Sequence, residues 1–216
     1  MAKFTEAQKE GRRQEILAAA LRCFARNGFH NTTITDVVRE SGVSQGTFYL
    51  YFQTKDDVIA ALADDRSQGD ALVGAIAGAE ADPVVGLTTL FDLHGQTLGD
   101  PQRADERRVA IQGWAEALRN EAIRDRLVAN TARVEAEIAR LVERGQQAGR
   151  FRPDAEPHGF ARALIALFRG LTLLTAWEGG FDADLTAKSI EDMVRGALQP
   201  IDGPNAGRPA QAEERQ

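Results

Sequence analysis

The stretch "GVSQGTFYLYFQTK", Gly42 to Lys55, puts two tyrosines on one short helical segment and a lysine at the opening of the next. A lysine there meets the positive end of the helix dipole, the unfavourable sign. Sequences break such local rules where another demand wins. The surroundings read as helix. In "TTITDVVRESG", Thr33 can cap, Asp36 three residues on completes a capping box, and Gly42 ends the segment. Ser44 is a fresh N-cap for "SQGTFYLYF", and Thr54 with Asp57 opens "TKDDVIAALADD" as a second capping box. Three short helices therefore begin at Thr33, Ser44 and Thr54. Upstream, Ile16, Leu17, Ala20, Leu21 and Phe24 recur at helical spacing in a first helix expected to stop at "NG", with Gly28 as its left-handed closing residue.

Two helices joined by a tight turn at Gly42 form a helix-turn-helix, whose second helix lies in the major groove of DNA. Phe48 and Phe52, four apart, face a core with Val37, Val38 and Val43. That leaves Gln45, Gly46, Thr47, Tyr49, Leu50 and Tyr51 facing outward. Glycine inside a helix costs about 1 kcal/mol against alanine, and close approach of Gly46 to a groove wall supplies a reason. Gln45 suits adenine, and Thr47 a base edge or thymine methyl. Tyr49 and Tyr51 offer hydroxyls to phosphate, and Lys55 would join the free N–H groups of its helix start as a phosphate clamp. The bland alternative is a small three-helix core whose tyrosines half-bury.

The segment "GFHNTTITDVVRESGVSQGTFYLYFQTKDDVIAAL" resembles the DNA-binding region of the tetracycline-repressor (TetR) family, a match covering roughly residues 12–65. The register "G-V-S-x-G-T-F-Y-x-Y-F-x-x-K" combines turn, core and contact positions. The resemblance implies a homodimeric, ligand-responsive transcriptional regulator, usually a repressor, with an all-helical effector domain. It places Thr33, Gln45, Gly46, Thr47, Tyr49, Tyr51 and Lys55 against DNA, and we add Ser44 and Leu50. Val38 and Ser41 stand where the family often has alanine, and Leu50 is less polar than is common there.

Composition sets outer bounds. The chain has 216 residues and a net charge of −6, but residues 1–55 carry +3 and the remainder −9. A basic head on an acidic body is an electrostatic footprint for DNA. The lone Cys23 forms no internal disulfide, which fits a reducing cytoplasm, and its neighbours read as core. No secretory h-region or uninterrupted membrane span is expected. No metal-ligand spacing, Walker loop, GxSxG or GxGxxG context appears, so no cofactor, metal or catalytic residue is expected.

Downstream the expectation is helices throughout, about nine in all, and no strand. Asp82-Pro83 and Asp100-Pro101 each pair an N-cap with proline at N1. Asn120 opens a long charged helix to about Gly149, Asp154 opens "GFARALIALFRGLTLLTAWEGG", and Asp184 a last helix. The tail 201–216 is expected to be disordered. Arg12 and Arg13 read equally as a DNA-clamping arm or a solvated face, and His30 as an exposed loop residue. His94 shares an apolar face with Leu87, Phe91 and Leu98, and Trp114 one with Ala110, Ile111 and Leu118. Phe91, His94, Trp114, Phe168 and Thr172 would suit an effector pocket, yet ordinary packing gives the same set.

In "GFARALIALFRGLTLLTAW", Phe160, Leu164, Leu167, Leu171 and Leu174 form one stripe and Ile165, Phe168 and Thr172 another. A helix apolar nearly all round is buried on more than one side. Leu164, Leu167, Leu171 and Leu174, with Ile190 and Val194 of the last helix, are the candidate dimer face, against the alternative of a central monomer helix. The expected division is a DNA-binding head over residues 1–53, an effector and dimerisation body over 54–200, and the tail. Two rivals stay open: a DNA-binding regulator governed by a protein partner or by abundance, and a helical enzyme on the same scaffold.

Overall fold

The computed structural model describes residues 5–62, 82–178 and 182–199. All regular structure there is helical. Successive helices are α1 (Glu6–Asn31), α2 (Ile34–Ser41), α3 (Gln45–Tyr49) and α4 (residues 55–62, running to the edge of the described stretch). Then come α5 (Pro83–Gly99), a 3-10 turn (Pro101–Arg103), α6 (Ala104–Glu116), α7 (Glu121–Gln147), α8 (Pro157–Glu178) and α9 (Ala183–Leu198). The end of the predicted "TKDDVIAALADD" helix beyond residue 62 and the tail lie outside the described residues.

Local chemistry explains most boundaries. Thr33 and Asp36 exchange capping-box hydrogen bonds, Gly42 takes φ +69°, and Ser44 Oγ accepts the Thr47 N–H at 3.1 Å. The helix Ser44 opens is shorter than expected, ending at Tyr49. In α1 the chain leaves helical geometry at Gly28 (φ +79°, ψ 165°) but resumes one more turn to Asn31, so Gly28 is a break, not an end. Asp82 and Asn120 cap α5 and α7 as expected. Asp100-Pro101 opens only the 3-10 turn before α6. Two starts differ. Glu156, not Asp154, receives the first α8 amides, those of His158 (3.2 Å) and Gly159, because Asp154 is held by Arg152. Asp182, not Asp184, caps α9.

Two apolar clusters organise the chain. The first packs Ile16, Leu17, Phe24, Val37, Phe48 and Phe52 of the head with Val58 of α4, and it also takes in Val109 and Ala117 from α6 and its end and Ile123 of α7. Phe29 meets Phe24 edge-on at 4.8 Å. The second joins Leu87, Leu90 and Phe91 of α5, Ile138, Leu141 and Val142 of α7, Leu164 of α8 and Ile190 and Leu198 of α9. Buried Arg107 donates to the Thr97 and Asp100 carbonyls (3.0 and 2.9 Å), satisfying the end of α5. By length and composition α8 could cross a membrane. In the fold it packs along α7 and touches α6 and α5, with Arg162 held by Glu135 (2.7 Å) and Arg169 donating to Thr131 Oγ1 (2.5 Å).

The α7–α8 connection turns at Gly149 (φ +67°), and Gln146 Nε2 donates to the Arg152 and Ala155 carbonyls (3.0 and 2.7 Å). This folds Phe151 back against Gly145 so closely that a Cβ at Gly145 would lie 1.9 Å from its ring. The Arg152 N–H donates to the Leu198 carbonyl at 2.7 Å, tying this corner to the end of α9. Gly145→Ala is expected to destabilise by about 1–3 kcal/mol through overpacking, read as a lower urea midpoint at unchanged slope.

Candidate nucleic-acid interface and effector site

The helix-turn-helix presents its surface as its register demands. Phe48 and Phe52 are buried, and Gln45, Gly46, Tyr49 and Leu50 are exposed, Leu50 to 81%. Only Ser44 Oγ comes within 4.0 Å of a Cβ built at Gly46, so nothing in the chain itself demands a glycine there. Thr33 and Ser44 lie at the exposed starts of α2 and α3, with their hydroxyls engaged in capping. Thr47 is half-buried and shares a 2.8 Å hydrogen bond with Ser44 Oγ. Tyr51 departs from the outward set: it is half-buried against the head core, while Tyr49 stacks edge-on to Phe48 at 5.6 Å and keeps its exposure.

Lys55 is placed differently from expectation. Its ammonium donates to the carbonyls of Phe29 (2.5 Å), Thr32 (3.1 Å) and His30 (3.5 Å). These are the carbonyls a helix end leaves without partners. The cation opposes the dipole of its own helix because it satisfies the C-terminal end of another. The charge count also overstates the free positive surface. Arg12 pairs with Glu15, Arg13 with Glu10 while its guanidinium lies over Phe52, Arg39 with Asp36, and Arg22 and Arg26 both with Glu40. Hydrogen bonds from Arg22 and Arg26 hold the Glu40 carboxyl below its usual range. Cys23 is buried and its thiol is pushed up by burial, as a core residue's would be.

The junction between head and body was not legible beforehand. Gln112 of α6 reaches into the break at Gly28, donating from Nε2 to the Phe24 carbonyl (3.0 Å) and accepting the Phe29 N–H (3.1 Å). His30, though exposed, contacts Arg119 (3.1 Å) and Glu116 (3.2 Å) at the end of α6. A glutamine on a mixed helix face carries no signal of its partners 83 and 88 residues away.

In the body, four of the five candidate pocket residues gather. His94 stacks on Phe168 (4.1 Å, 27°), Phe91 meets Phe168 edge-on at 5.5 Å, and Thr172 is buried one turn along α8. Trp114 stands apart under Arg169, whose guanidinium lies 5.8 Å from its ring centre. Burial lowers the His94 pKa from 6.5 to about 4. The dimer set divides. Leu164 and Ile190 are buried in the monomer core, which removes them from an outer face, and Leu167, Leu171 and Val194 pack half-buried against that core. Leu174 is exposed, as are Trp177 of α8 and Leu185 and Met193 of α9. Periodicity could not choose among the stripes of a helix apolar all round.

Two measurements follow. Lys55→Met is expected to cost about 1–3 kcal/mol of stability by stranding three carbonyls, seen in chemical denaturation. The salt slope of DNA binding should stay unchanged, whereas losing a phosphate contact would lower it by about one. For His94 the depressed folded pKa means that the unfolded chain takes up the proton first as pH falls. Stability from this group is full above pH 6.5 and drains towards pH 4, by up to about 3 kcal/mol. His94→Phe should flatten that part of the stability–pH curve relative to the parent.

Comparison with known proteins agrees with this geometry. The family model described as bacterial regulatory proteins, tetR family, matches residues 16–62, and one described as BetI-type transcriptional repressor, C-terminal, matches residues 93–199. An uncharacterized HTH-type transcriptional regulator of Bacillus subtilis is 40% identical over 58 residues, 27% of this chain and 30% of its own length. Similarity to this and two further Bacillus subtilis relatives spans 27–30% of their length. An HTH-type transcriptional repressor of Mycobacterium tuberculosis is 27% identical over 208 residues, 92% of this chain and 99% of that one. The solved structure of a transcriptional regulator from Saccharomonospora viridis, in complex with choline, superposes with a TM-score of 0.72 at 30% identity, covering 89% of this chain and 100% of that one. With a capped helix-turn-helix at one end, a BetI-type helical body at the other and full-length relatives spanning both, this chain belongs to the TetR family of bacterial regulators.

Proposed function

We propose that the protein is a cytoplasmic DNA-binding transcriptional repressor, acting as a homodimer and released from a near-palindromic operator by a small-molecule effector. One observation carries the reading. From Ser44 to Phe52 the rings of Phe48 and Phe52 are buried, while Gln45, Gly46, Tyr49 and Leu50 stand exposed on and beside a capped helix. Gln45 is matched to adenine, Leu50 to a thymine methyl, and Tyr49 to a phosphate. Residues 1–53 form the DNA-binding head and 54–200 the effector and dimerisation body.

The dimer face we assign is the outer side of α8 and α9. Ala163, Ala166, Gly170, Leu174 and Trp177 follow one another at helical spacing on α8, the large residues exposed, and Leu185 and Met193 are exposed on α9. Gly170 and Gly196 have open space where a Cβ would stand, which lets a second helix pair approach closely. Effector occupancy between α5 and α8 would act through differential affinity for two head orientations. We place the lever in α4, which begins at Lys55, and α6 offers a second route, since it carries Gln112 on one side and Trp114 towards α8.

The test is operator binding by fluorescence anisotropy on a site recovered by genomic selection, with metabolites, choline among them, screened for release. Gln45→Ala and Tyr49→Phe should each weaken the specific complex by about 1–3 kcal/mol while leaving dimer mass and helicity intact. Trp177→Glu with Met193→Glu should give a monomer by sedimentation that has lost operator binding. Unchanged binding in all these variants overturns the reading.

A further inference from the structure

We propose that His94 Nε2 is the hydrogen-bonding anchor of the effector site, and that it selects compounds with an apolar body ending in an uncharged polar group such as a hydroxyl or an amide. This rests on the effector-regulated reading above and narrows its ligand class. His94 projects from α5 onto α8, with its ring face against Phe168 and Phe168 in turn edge-on to Phe91. The stack fixes the ring plane, so the nitrogen edge is the part left to interact. Nε2 is enclosed and makes no hydrogen bond of ordinary geometry, while the Phe168 backbone acts on the ring and offsets a small part of its burial. The α8 hydroxyls spend their protons within the helix: Thr172 Oγ1 donates to the Phe168 carbonyl (2.9 Å) and Thr175 Oγ1 to that of Leu171 (2.8 Å). Arg169, the next residue along α8 from Phe168, is directed to Trp114 and Thr131.

A phenylalanine would fill the same aromatic stack without stranding a polar atom. Buried polar groups are nearly always satisfied, and an exception calls for a role. The chemistry of that role follows from the charge state. Burial keeps the imidazole neutral down to about pH 4. A neutral ring has one donor and one acceptor nitrogen, so it can meet a hydroxyl or an amide. It carries no charge to compensate a buried carboxylate, whose desolvation would go unpaid.

The experiment titrates the full-length protein with benzyl alcohol, toluene and benzoate, following imidazole 15N resonances and thermal shift. Benzyl alcohol should move the His94 resonances and bind about tenfold more tightly than toluene, the worth of one buried hydrogen bond, with benzoate weaker than either. His94→Phe should bind benzyl alcohol and toluene alike, and His94→Gln should restore part of the preference. Equal binding of the two by the parent protein, or a preference that survives His94→Phe, overturns the anchor. Saturable binding of none of the three overturns the anchor as well. The broader effector reading is judged separately, by the operator-release screen.

Discussion

The corner at the end of α1 is the constraint on which the rest depends. A helix that breaks at Gly28 inside a packed structure strands backbone groups, and buried backbone groups must find partners. Each partner comes from a different element. Gln112 of α6 takes the Phe24 carbonyl and the Phe29 amide, Lys55 of α4 takes the carbonyls of Phe29 and Thr32, and the Thr32 hydroxyl turns back to those of Cys23 and Gly28. The helix-turn-helix starts one residue later, at the Thr33 cap. Its position relative to the body is therefore set by side chains from both sides of the molecule meeting at one turn.

Among the described residues, the exposed surface around the helix-turn-helix carries little free charge. Its arginines are paired with neighbouring carboxylates, mostly in exposed pairs worth little each, and such pairs can be traded for phosphate. What remains as a fixed pattern is shape and hydrogen-bonding capacity: a short capped helix, an exposed glycine with room around it, one exposed tyrosine and one exposed leucine.

How far the residues alone disclosed this depends on the range of each interaction. Caps and turns act over three or four positions, so Thr33 with Asp36, Gly42, Ser44 and Asn120 could be read directly. The inward register of Phe48 and Phe52 was equally plain, because a polar helix face opposes them. Lys55 misled because its anomaly was local while its explanation lies at the end of α1. Leu164 and Ile190 misled for another reason: hydrophobic periodicity marks a buried face only when the remaining faces are polar, and α8 has no such contrast. Asp154 failed as a cap because Arg152, two residues before it, competes for its carboxylate. Gln112 gave no signal at all, since its partners lie on another helix.

The first apolar cluster has a consequence for dissecting the chain. Because Val109, Ala117 and Ile123 share it with Phe24, Phe48 and Phe52, the head's interior is completed by residues that follow it by more than fifty positions. A cut after residue 53 would expose that interior rather than release a finished module. Grafting this head onto another body therefore requires carrying the inner side of α6 along with it. Head and lower helices should unravel together, in one cooperative step, when the protein is heated.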